Sequence, residues 1–389
     1  MSIDDYADRI LPADHETATL VARIADDAGD PCVAVLRGGE FADLTRCAPT
    51  VSALFEREDH RDLLRTAAAE RAWPVEQVLA STLRGATGPR LLSPIDLQVI
   101  KAAGVTFVDS MLERVIEERA QGDPARALDL RARLAEAIGG AISAVRPGSP
   151  EAALVKETLI AEGMWSQYLE VGIGPDPEIF TKAPVLAAVG TGAMVGVLRR
   201  SVWNNPEPEL VLVADSAGHA VGVTLGNDVN LRDVEGRSAL LLAEAKDNNA
   251  SCAVGPFIRV FDEGFTLEHA RGIEIALEVR GARDGFALRG TSSVGRISRP
   301  FEELLSSATG PHHQYPDGFV LFTGTLFAPT EDRGEPGKGF THHDGDVVAI
   351  GTRRLGTLVN TVTAAEDAPP WTMGITALFA SLARRGLLG

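Results

Sequence analysis

The sequence predicts an α+β protein with more than one domain. The chain has 389 residues, of which 45% are hydrophobic, and this is enough to bury a large core. Short β-type runs separated by glycine-rich turns fill the chain beyond Gly172, whereas the stretch before Gly172 carries apolar residues at helical spacing. Helical and strand-forming regions that are segregated along the chain are typical of α+β proteins.

The first 90 residues form the smaller predicted domain. The runs ATLVARI, PCVAVLRG and TVSALF predict short strands, and the stretch RDLLRTAAAERA predicts a helix after them. The next segment, GATGPRLLSPID, combines Gly, Pro and Ser and predicts a linker. We therefore expect a small N-terminal α+β domain at residues 1–90 and a main domain at residues 91–389.

A helical block is predicted near the start of the main domain, at about residues 108–170. Apolar residues near its start have the spacing of one helix face, namely Val108, Met111, Leu112, Val115 and Ile116. Ser149 suits a helix cap and Pro150 suits a first turn, so a further helix is expected to run from there toward Leu169. The β-type runs beyond the block, from VLAAVG to LGTLVNTV, indicate a coiled antiparallel sheet or a closed barrel-like domain.

Composition and charge argue against several classes of partner. The formal net charge is -17 and no basic run is longer than an arginine pair, so no nucleic-acid partner is expected. No apolar run is long enough to span a bilayer, and the acidic first residues lack the pattern of a secretory signal. We therefore expect no membrane partner and a cytoplasmic location. The three cysteines follow no metal-ligand spacing, and their odd number argues against a disulfide framework.

Three acids carry the strongest chemical signal in the sequence. Glu207 and Glu209 stand two residues apart at the head of the run ELVLVAD, so an extended strand directs both carboxylates to one face. A turn at Ala217 and Gly218 leads into the run AVGVTLG, and the resulting hairpin would return Asp228 to the pair. Three oxygen ligands with open coordination positions suit Mg²⁺ or Mn²⁺ acting as a Lewis acid.

Two cations that follow these acids each have two interpretations. Lys246 is either a surface lysine paired with neighbouring acids or a cation that holds a substrate carboxylate or an enolate oxygen. Arg232 is either a second anion-binding group or a partner of Asp233 or Glu235. The spacing alone does not decide between these roles.

A second group of polar residues is equally open. Glu178 and Lys182 share a face in a helix or in a strand, so they form either a surface salt bridge or part of a site. Thr323 and Thr325 flank Gly324 inside the apolar run FVLFTGTLF. Hydroxyl groups at such positions are either satisfied by the sheet or directed at a ligand.

An ordered set of motifs resembles a known family. In chain order the set is E-x-E from Glu207, N-D-V-x-x-R-D from Asn227, Lys246, V-G-P-F from Val254, T-G-T from Thr323, and G-D-V-V from Gly345 with G-T-L-V-N ending at Asn360. The set resembles the fumarylacetoacetate hydrolase superfamily over about residues 91–363. This resemblance implies a mixed β-roll catalytic domain and assembly as a homodimer or homotetramer. It also implies that Glu207, Glu209 and Asp228 bind Mg²⁺, Mn²⁺ or Ca²⁺.

Within the superfamily, the chain is more similar to the 2-keto-3-deoxy-pentonate dehydratases than to the hydrolases. The similarity lies in P-E-I-F-x-K from Pro177, P-E-P-E-L from Pro206, A-x-G-P-F-I from Ala253 and A-G-V-T-F from Ala103. Hydrolases of the superfamily use a histidine upstream of the E-x-E to activate water, and this chain has no histidine between His60 and His219. The resemblance therefore favours a dehydratase.

The dehydratase resemblance implies a role for each candidate residue. The implied catalytic residues are Glu178, which would transfer a proton, Lys182 and Lys246, and the implied substrate-binding residues are Thr106, Thr325 and Arg232. The helical block would fold over the site as a lid. The expected reaction is the Mg²⁺-dependent removal of water from a 2-keto-3-deoxy-pentonate of xylonate or arabinonate type. Its product would be 2,5-dioxopentanoate, in non-phosphorylative pentose catabolism.

Two alternatives stay open on the sequence. The first is an acylpyruvate-type C–C hydrolase or an oxaloacetate decarboxylase that uses the same metal-binding face. The second is a non-catalytic member that keeps the fold as a binding module. The presence of all three acids together with Lys246 argues against the non-catalytic alternative.

Overall fold

The computed structural model describes residues 3–107, 111, 145–161, 163, 165–326, 331–333 and 339–388. Its strands are β1 (Leu20–Ala25), β2 (Pro31–Arg37), β3 (Glu40–Asp43), β4 (Ala72–Pro74), β5 (Arg90–Leu91), β6 (Val99–Gly104), β7 (Glu178–Ala183), β8 (Met194–Val197), β9 (Asn204–Asn205), β10 (Pro208–Ala214), β11 (Ala220–Asp228), β12 (Asn230–Leu231), β13 (Cys252–Val260), β14 (Glu274–Arg280), β15 (Ala287–Ser293), β16 (Phe319–Phe322), β17 (Val347–Thr352) and β18 (Gly356–Ala364).

The α-helices of the same residues are short and lie between the strands or after them. They are α1 (Val51–Phe55), α2 (His60–Thr66), α3 (Val75–Arg84), α4 (Pro150–Ala161), α5 (Gln167–Ile173), α6 (Arg232–Glu235), α7 (Leu242–Lys246), α8 (Leu267–Arg271), α9 (Phe301–Ala308) and α10 (Ile375–Arg384). A longer 3₁₀ helix occurs at Ile3–Arg9, and single 3₁₀ turns occur at Ala239–Leu241 and Val294–Arg296. None of the helices in the described ranges has both the length and the apolar character needed to cross a membrane.

Two mixed sheets form the framework. The larger has 11 strands in the order β4-β3-β2-β1-β13-β11-β10-β16-β6-β7, with β5 paired to β1. The smaller has 5 strands in the order β15-β14-β17-β18-β8, and β9 and β12 form a separate pair. Most neighbours are antiparallel, but β16 pairs with β6 and β18 pairs with β8 in parallel. The predicted α+β class and mixed β-roll are confirmed. The other expectation, a coiled antiparallel sheet or a closed barrel-like domain, is wrong for the described residues, because their strands form two mixed sheets.

Strand β10 is buried on both of its faces, which explains its continuous apolar sequence. Leu210 and Leu212 point into the core between the two sheets, and Val211 and Val213 point into a second core on the opposite face. Side chains two apart on a strand share a face, so Glu209 lies on the same face as Val211 and Val213. The strand therefore carries an acid into an otherwise apolar environment.

The residues of TVSALF form helix α1 instead of the predicted strand. The side chain of Thr50 accepts a hydrogen bond from the Ala53 amide at 2.9 Å and so caps the helix. The buried carboxylate of Asp96 accepts bonds from the amides of Val51 and Ser52 at 2.6 Å and 3.0 Å. An anion at a helix N-terminus stabilises the helix, and this anion comes from a distant part of the chain.

Other predicted elements differ in their limits. The helix expected from Ser149 toward Leu169 is two helices, α4 and α5, because Ser166 starts a second one by accepting a hydrogen bond from the Leu169 amide. The run VLAAVG is a loop that touches the sheet through a bridge between Val189 and Ala253. The helix predicted near residues 108–116 lies outside the described residues except for Met111, and so does most of the predicted lid.

Strand pairing crosses the predicted domain boundary at residue 90. Strand β1 pairs with β13, which belongs to the predicted main domain, and with β5, which spans the boundary. The N-terminal strands therefore extend the same sheet that carries β10 and β11. The division into residues 1–90 and 91–389 stays a prediction.

A buried ion pair stabilises the segment that leads into β17. Arg333 donates to Asp346 Oδ1 at 2.8 Å, and the His343 amide donates to Oδ2 at 2.9 Å. Burial alone would raise the pKa of Asp346, but the nearby His342 ring and the bonds from Arg333 and the His343 amide lower that pKa to about 2. Arg333 also pairs with Asp284 at 2.9 Å.

We expect Asp346→Asn to lower the free energy of unfolding at pH 7 by about 2 kcal/mol, because the folded pKa of Asp346 lies roughly two pH units below its ordinary value. The stabilisation is complete above the ordinary pKa of 3.8 and is lost as the pH falls toward 2. Urea unfolding at pH 7 and at pH 3 measures both effects. The matched control is Asp344→Asn, whose carboxylate is 61% exposed and is expected to cost about 0–1 kcal/mol. Equal losses in the two variants would contradict the prediction.

Candidate metal centre and its pocket

The hairpin of β10 and β11 brings the three predicted metal ligands together. Glu209 lies opposite Gly226 in the hairpin register, and the Asp228 amide donates to the Glu207 carbonyl at 3.0 Å. One carboxylate oxygen of each of Glu207, Glu209 and Asp228 lies within 4.8 Å of the others. The residues are only 3%, 2% and 2% exposed, so three acids are buried side by side. The hairpin expected from the sequence forms, and it returns Asp228 to the two glutamates.

Two buried lysines partly neutralise these acids. Lys246 Nζ donates to Glu207 Oε2 at 2.6 Å and to Asp228 Oδ2 at 2.9 Å. Lys182 Nζ lies 2.8 Å from Asp228 Oδ1 and donates to the carbonyl oxygens of Val229, at 3.2 Å, and Lys246. Three carboxylates and two ammonium groups leave this buried cluster with an excess of one negative charge when all five groups are ionised.

The pKa directions follow from this arrangement. Burial raises the pKa of Glu209 well above its usual range, and the charges of Asp228 and Glu207 add to the effect. Burial opposes ionisation of Asp228, but Lys182 and Lys246 hold its pKa below the usual value. Burial also opposes the charge on Lys246, but Asp228 and Glu207 outweigh it and raise the pKa of Lys246. Lys246 is therefore an ammonium group at neutral pH.

The carboxylates suit a hard divalent cation. Mutual repulsion of buried carboxylates is costly, and Mg²⁺ and related ions take oxygen ligands and relieve it. Backbone and side-chain donors fix two of the acids: the Gly324 amide donates to Glu209 Oε2 at 2.7 Å, and Asn230 Nδ2 donates to Glu207 Oε1 at 3.1 Å. Such outer contacts orient metal ligands. The residues present therefore fit the cation that the sequence predicts.

The cluster forms one end of a pocket. Its charged lining is Glu178, Glu207, Glu209, Asp228, Glu235 and Lys246. The remaining lining is Ala103, Gly104, Val105, Phe180, Gly324 and Thr325. Strands β6, β7, β10 and β11, the loop after β16 and helices α6 and α7 all contribute, so the pocket is assembled from segments that are far apart in the chain.

Glu178 is the predicted proton-transfer residue, and it lies in this pocket at the start of β7. It pairs in register with Gly104 of β6. A Cβ atom on residue 104 would overlap the carboxylate of Glu178, so the absence of a side chain at Gly104 makes the space that this carboxylate occupies. Thr325 also lines the pocket, and its contact with a substrate stays a prediction.

Three other predicted site residues are engaged elsewhere. Lys182 is fully buried beneath Asp228 and is absent from the pocket lining, so it supports a metal ligand. Thr106 donates to the Thr323 carbonyl at 2.7 Å. Arg232 stacks on Trp203, with its guanidinium carbon 4.3 Å from the ring centroid. Substrate contacts of Thr106 and Arg232 stay predictions, since neither residue is part of the described lining.

Sequence patterns missed two residues that line the pocket and one residue that supports it. Glu235 lines it at the end of α6, although it was considered only as a partner for Arg232. Phe180 places its ring centroid 5.8 Å from Lys246 Nζ, and Asn230 bridges two carboxylates. The alternation of β7 was a usable signal for Phe180, because Phe180 shares a strand face with Glu178 and Lys182.

Two packed sheets and a buried cluster of three carboxylates are the features of a β-roll protein that binds a divalent cation. Residues 175–363 match the family described as Fumarylacetoacetate (FAA) hydrolase C-terminal. The match lies in slightly less than half of the chain, and over these residues it confirms the resemblance inferred from the motifs.

Named relatives lie in one branch of this superfamily. The chain is 34% identical over 187 residues to a 2-dehydro-3-deoxy-D-arabinonate dehydratase of Saccharolobus solfataricus, covering 48% of this chain and 58% of the relative. It is 33% identical over 201 residues to a probable 2-keto-3-deoxyxylonate dehydratase of Haloferax volcanii, covering 51% of this chain and 65% of the relative. The aligned segments thus span less than two thirds of these relatives.

A solved structure extends the likeness of the fold. A 2-keto-3-deoxy-D-arabinonate dehydratase, complexed with magnesium and 2,5-dioxopentanoate, superposes with a TM-score of 0.63 at 22% identity. The superposition covers 89% of this chain and 99% of that one. It therefore supports the fold beyond the segments that are similar in sequence.

Proposed function

We propose that this protein is a Mg²⁺-dependent dehydratase that removes water from a 2-keto-3-deoxy-pentonate, of xylonate or arabinonate type, to give 2,5-dioxopentanoate. The observation that carries the proposal is a pocket that joins a three-carboxylate centre and Lys246 to Glu178, a carboxyl group outside the centre. The names of the aligned relatives, and the magnesium and 2,5-dioxopentanoate in the matching structure, support the same reaction.

The substrate has features that suit this pocket. A 2-oxo acid carries a carboxylate beside a carbonyl group, and the C3 protons next to that carbonyl are the acidic ones. A Mg²⁺ ion held by Glu207, Glu209 and Asp228 would supply Lewis acidity that polarises the carbonyl group and acidifies C3. Mn²⁺ and Ca²⁺ also accept this type of ligand set.

Lys246 and Glu178 supply the remaining chemistry in this proposal. The Lys246 ammonium, fixed by Glu207 and Asp228, provides positive charge and N–H donors beside the enolate oxygen that develops on C2. Glu178 transfers a proton during the loss of the C4 hydroxyl group, since it is a pocket acid outside the metal triad. Thr325 offers a hydroxyl group to the substrate.

Lys182 has a positioning role in this scheme. Its ammonium holds Asp228 Oδ1 at 2.8 Å and the carbonyl group of Lys246. It therefore fixes a metal ligand and the end of the helix that carries the other lysine. Replacement of Lys182 would therefore affect the reaction indirectly, by displacing Asp228 and the end of the helix that carries Lys246.

A product assay tests the proposal. The Mg²⁺-loaded protein would be incubated with a panel of 2-oxo-3-deoxy sugar acids, acylpyruvates and oxaloacetate, and the products identified by mass spectrometry. We expect loss of one water from a 2-keto-3-deoxy-pentonate with the carbon number intact, and loss of that activity after chelation with recovery on addition of Mg²⁺. C–C cleavage, CO₂ release or full activity in chelator would contradict the proposal.

Gly104→Ala is expected to lower turnover of this reaction by about 100-fold, because the new methyl group displaces the Glu178 carboxylate and misplacement of a catalytic group has effects of that size. Metal affinity is expected to stay unchanged, since the three atoms nearest to a Cβ atom on residue 104 all belong to Glu178. Steady-state kinetics and calorimetric Mg²⁺ titration separate the two quantities. Gly374→Ala is the control, because a Cβ atom there meets open space.

We also infer a homo-oligomer, either a dimer or a tetramer. Ile375 and Phe379 are about half exposed and lie four residues apart on α10, so they share one face of the helix, and the half-exposed Trp371 lies in the segment just before this helix. Clustered exposed apolar side chains commonly mark association surfaces. Light scattering coupled to size-exclusion chromatography measures the mass, and a monomer at micromolar concentration would contradict this inference.

A further inference from the structure

One peptide group links the segment after strand β6 to the candidate metal centre. This group joins Thr323 to Gly324, just beyond strand β16. Its N–H, on Gly324, donates to Glu209 Oε2 at 2.7 Å, and its carbonyl oxygen, on Thr323, accepts a hydrogen bond from the Thr106 hydroxyl group at 2.7 Å. A peptide group is planar, so the hydroxyl group and the carboxylate hold opposite ends of one rigid unit.

The Thr323 carbonyl group depends on Thr106 for its hydrogen bond. The N–H and the hydroxyl group of Thr323 both donate to the Leu210 carbonyl oxygen, each at 3.0 Å. Thr323 is fully buried and Thr106 is 3% exposed, so the carbonyl group needs a partner within the protein. The Thr106 hydroxyl group is that partner.

Gly324 allows this peptide group to turn, and this is why its orientation has to be held. The φ angle of Gly324 is 92°, in the region that favours glycine, and a glycine permits rotation of the peptide group that precedes it. Rotation by half a turn would direct the Thr323 carbonyl oxygen toward the Glu209 carboxylate, and the two oxygens would repel. A Cβ atom on residue 324 would also overlap Thr106 Oγ1, so the glycine makes room for the hydroxyl group.

The backbone around Thr106 is itself held in place. The Thr106 carbonyl oxygen accepts hydrogen bonds from the amide and the hydroxyl group of Ser298, at 2.8 Å and 2.9 Å. The preceding residue, Val105, has a φ angle of 53°, which is unfavourable for a β-branched side chain. Strain of this kind persists only where the surrounding contacts hold it, and it is common at functional sites.

We propose that Thr106 is a positioning residue of the metal centre, whose hydroxyl group sets the orientation of the Thr323–Gly324 peptide group and, through the Gly324 amide, the position of Glu209. A hydrogen bond to the carbonyl oxygen polarises the peptide group and strengthens the bond that its N–H makes to the carboxylate. The inference deepens the proposed function and rests on it only for the kinetic measurement. In this role Thr106 needs no contact with the substrate.

Substitutions of Thr106 test the role of its hydroxyl group. Valine keeps the shape of threonine and cannot donate, whereas serine keeps the hydroxyl group. Calorimetric titration with Mg²⁺ in the absence of substrate measures metal affinity, and dehydration of a 2-keto-3-deoxy-pentonate is measured at low and at saturating Mg²⁺. Thr82→Val is the matched control, because Thr82 is 4% exposed and donates to the Val78 carbonyl at 2.7 Å, outside the pocket lining.

We expect Thr106→Val to lower Mg²⁺ affinity by about 10- to 100-fold, the range for groups that support metal ligands. Saturating Mg²⁺ is expected to restore most of its turnover, with KM for the substrate near the wild-type value, because the hydroxyl group acts through the metal centre. Thr106→Ser is expected to recover most of the Mg²⁺ affinity, and Thr82→Val to keep all of it. A crystal structure of Thr106→Val is expected to show a rotated peptide group or a displaced Glu209.

Several results would overturn this role. Wild-type Mg²⁺ affinity in folded Thr106→Val would do so, as would equal losses in the valine and serine variants or in Thr106→Val and Thr82→Val. A raised KM at saturating Mg²⁺ with unchanged Mg²⁺ affinity would assign Thr106 to substrate binding instead. If Thr106→Val does not fold, Thr106→Cys decides, because its weaker thiol donor is expected to give an intermediate affinity and a wild-type affinity would contradict the role.

The metal titration also separates this inference from the proposed function. A wild-type protein that binds Mg²⁺ and dehydrates none of the 2-keto-3-deoxy-pentonates would refute the proposed function. Weaker Mg²⁺ binding in Thr106→Val, with recovery in Thr106→Ser, would still support Thr106 as a positioning residue.

Discussion

Glu209→Gln is expected to lower Mg²⁺ affinity by at least about 100-fold and to abolish metal-dependent turnover at micromolar Mg²⁺. The change is isosteric but removes one of three ligand charges. Substitution of groups that only hydrogen-bond to metal ligands already lowers metal affinity or activity by about 10- to 100-fold. Glu209 is 2% exposed, and its Oε2 accepts a hydrogen bond from the Gly324 amide at 2.7 Å. The lost ligand charge therefore lies inside the buried cluster. Calorimetric titration with Mg²⁺ and the dehydration assay measure the two effects.

The same substitution is expected to raise the thermal stability of the protein in chelator. Three buried carboxylates repel one another, and this repulsion together with burial raises the pKa of Glu209. A neutral amide removes one of the repelling charges. Glu274→Gln, at an exposed position of β14, is the control and is expected to change neither property. Unchanged Mg²⁺ affinity in Glu209→Gln would refute the proposed ligand set.

Glu178→Gln is expected to lower kcat of dehydration by about 100- to 10,000-fold, which is the range for loss of a general acid or base. Mg²⁺ affinity is expected to stay within a few-fold of wild type, because Glu178 is outside the cluster whose oxygens lie within 4.8 Å of one another. The amide keeps the volume that Gly104 leaves for the carboxylate. The loss therefore reports on proton transfer more than on packing.

Kinetics at saturating substrate and Mg²⁺ distinguish this outcome from weak binding. Glu268→Gln is a suitable control, since its side chain is 84% exposed on α8 and is outside the pocket lining. Turnover of Glu178→Gln near the wild-type rate would contradict the role of Glu178. A parallel loss of Mg²⁺ affinity and kcat would instead indicate that Glu178 supports the metal centre.

The metal centre could be predicted from the sequence because its ligands are arranged by local rules. Glu207 and Glu209 share a face through the period of a strand, and a short turn returns Asp228 to them. Lys246 also bonds to this cluster. Its place in the ordered set of family motifs led us to expect it in the site. For these residues, the information needed lies within one hairpin and the segment that follows it.

The pocket walls could not be predicted because they depend on contacts between distant segments. Glu178 faces a space left by Gly104, and, away from the pocket, α1 begins at the carboxylate of Asp96. Neither contact leaves a periodic signal in the sequence. Lys182 illustrates the same limit: the spacing correctly gave it a common strand face with Glu178, but only the packing shows that it ends beneath Asp228.

The three predicted metal ligands all come from one hairpin, so local strand pairing sets most of their arrangement. Glu207, Glu209 and Asp228 are brought together by hairpin pairing, whereas Glu178, the proposed proton-transfer group, is carried by β7. A substitution of Glu178 is therefore expected to change the proposed proton transfer more than the arrangement of the three carboxylates, whereas a substitution of Lys182 on the same strand would disturb Asp228.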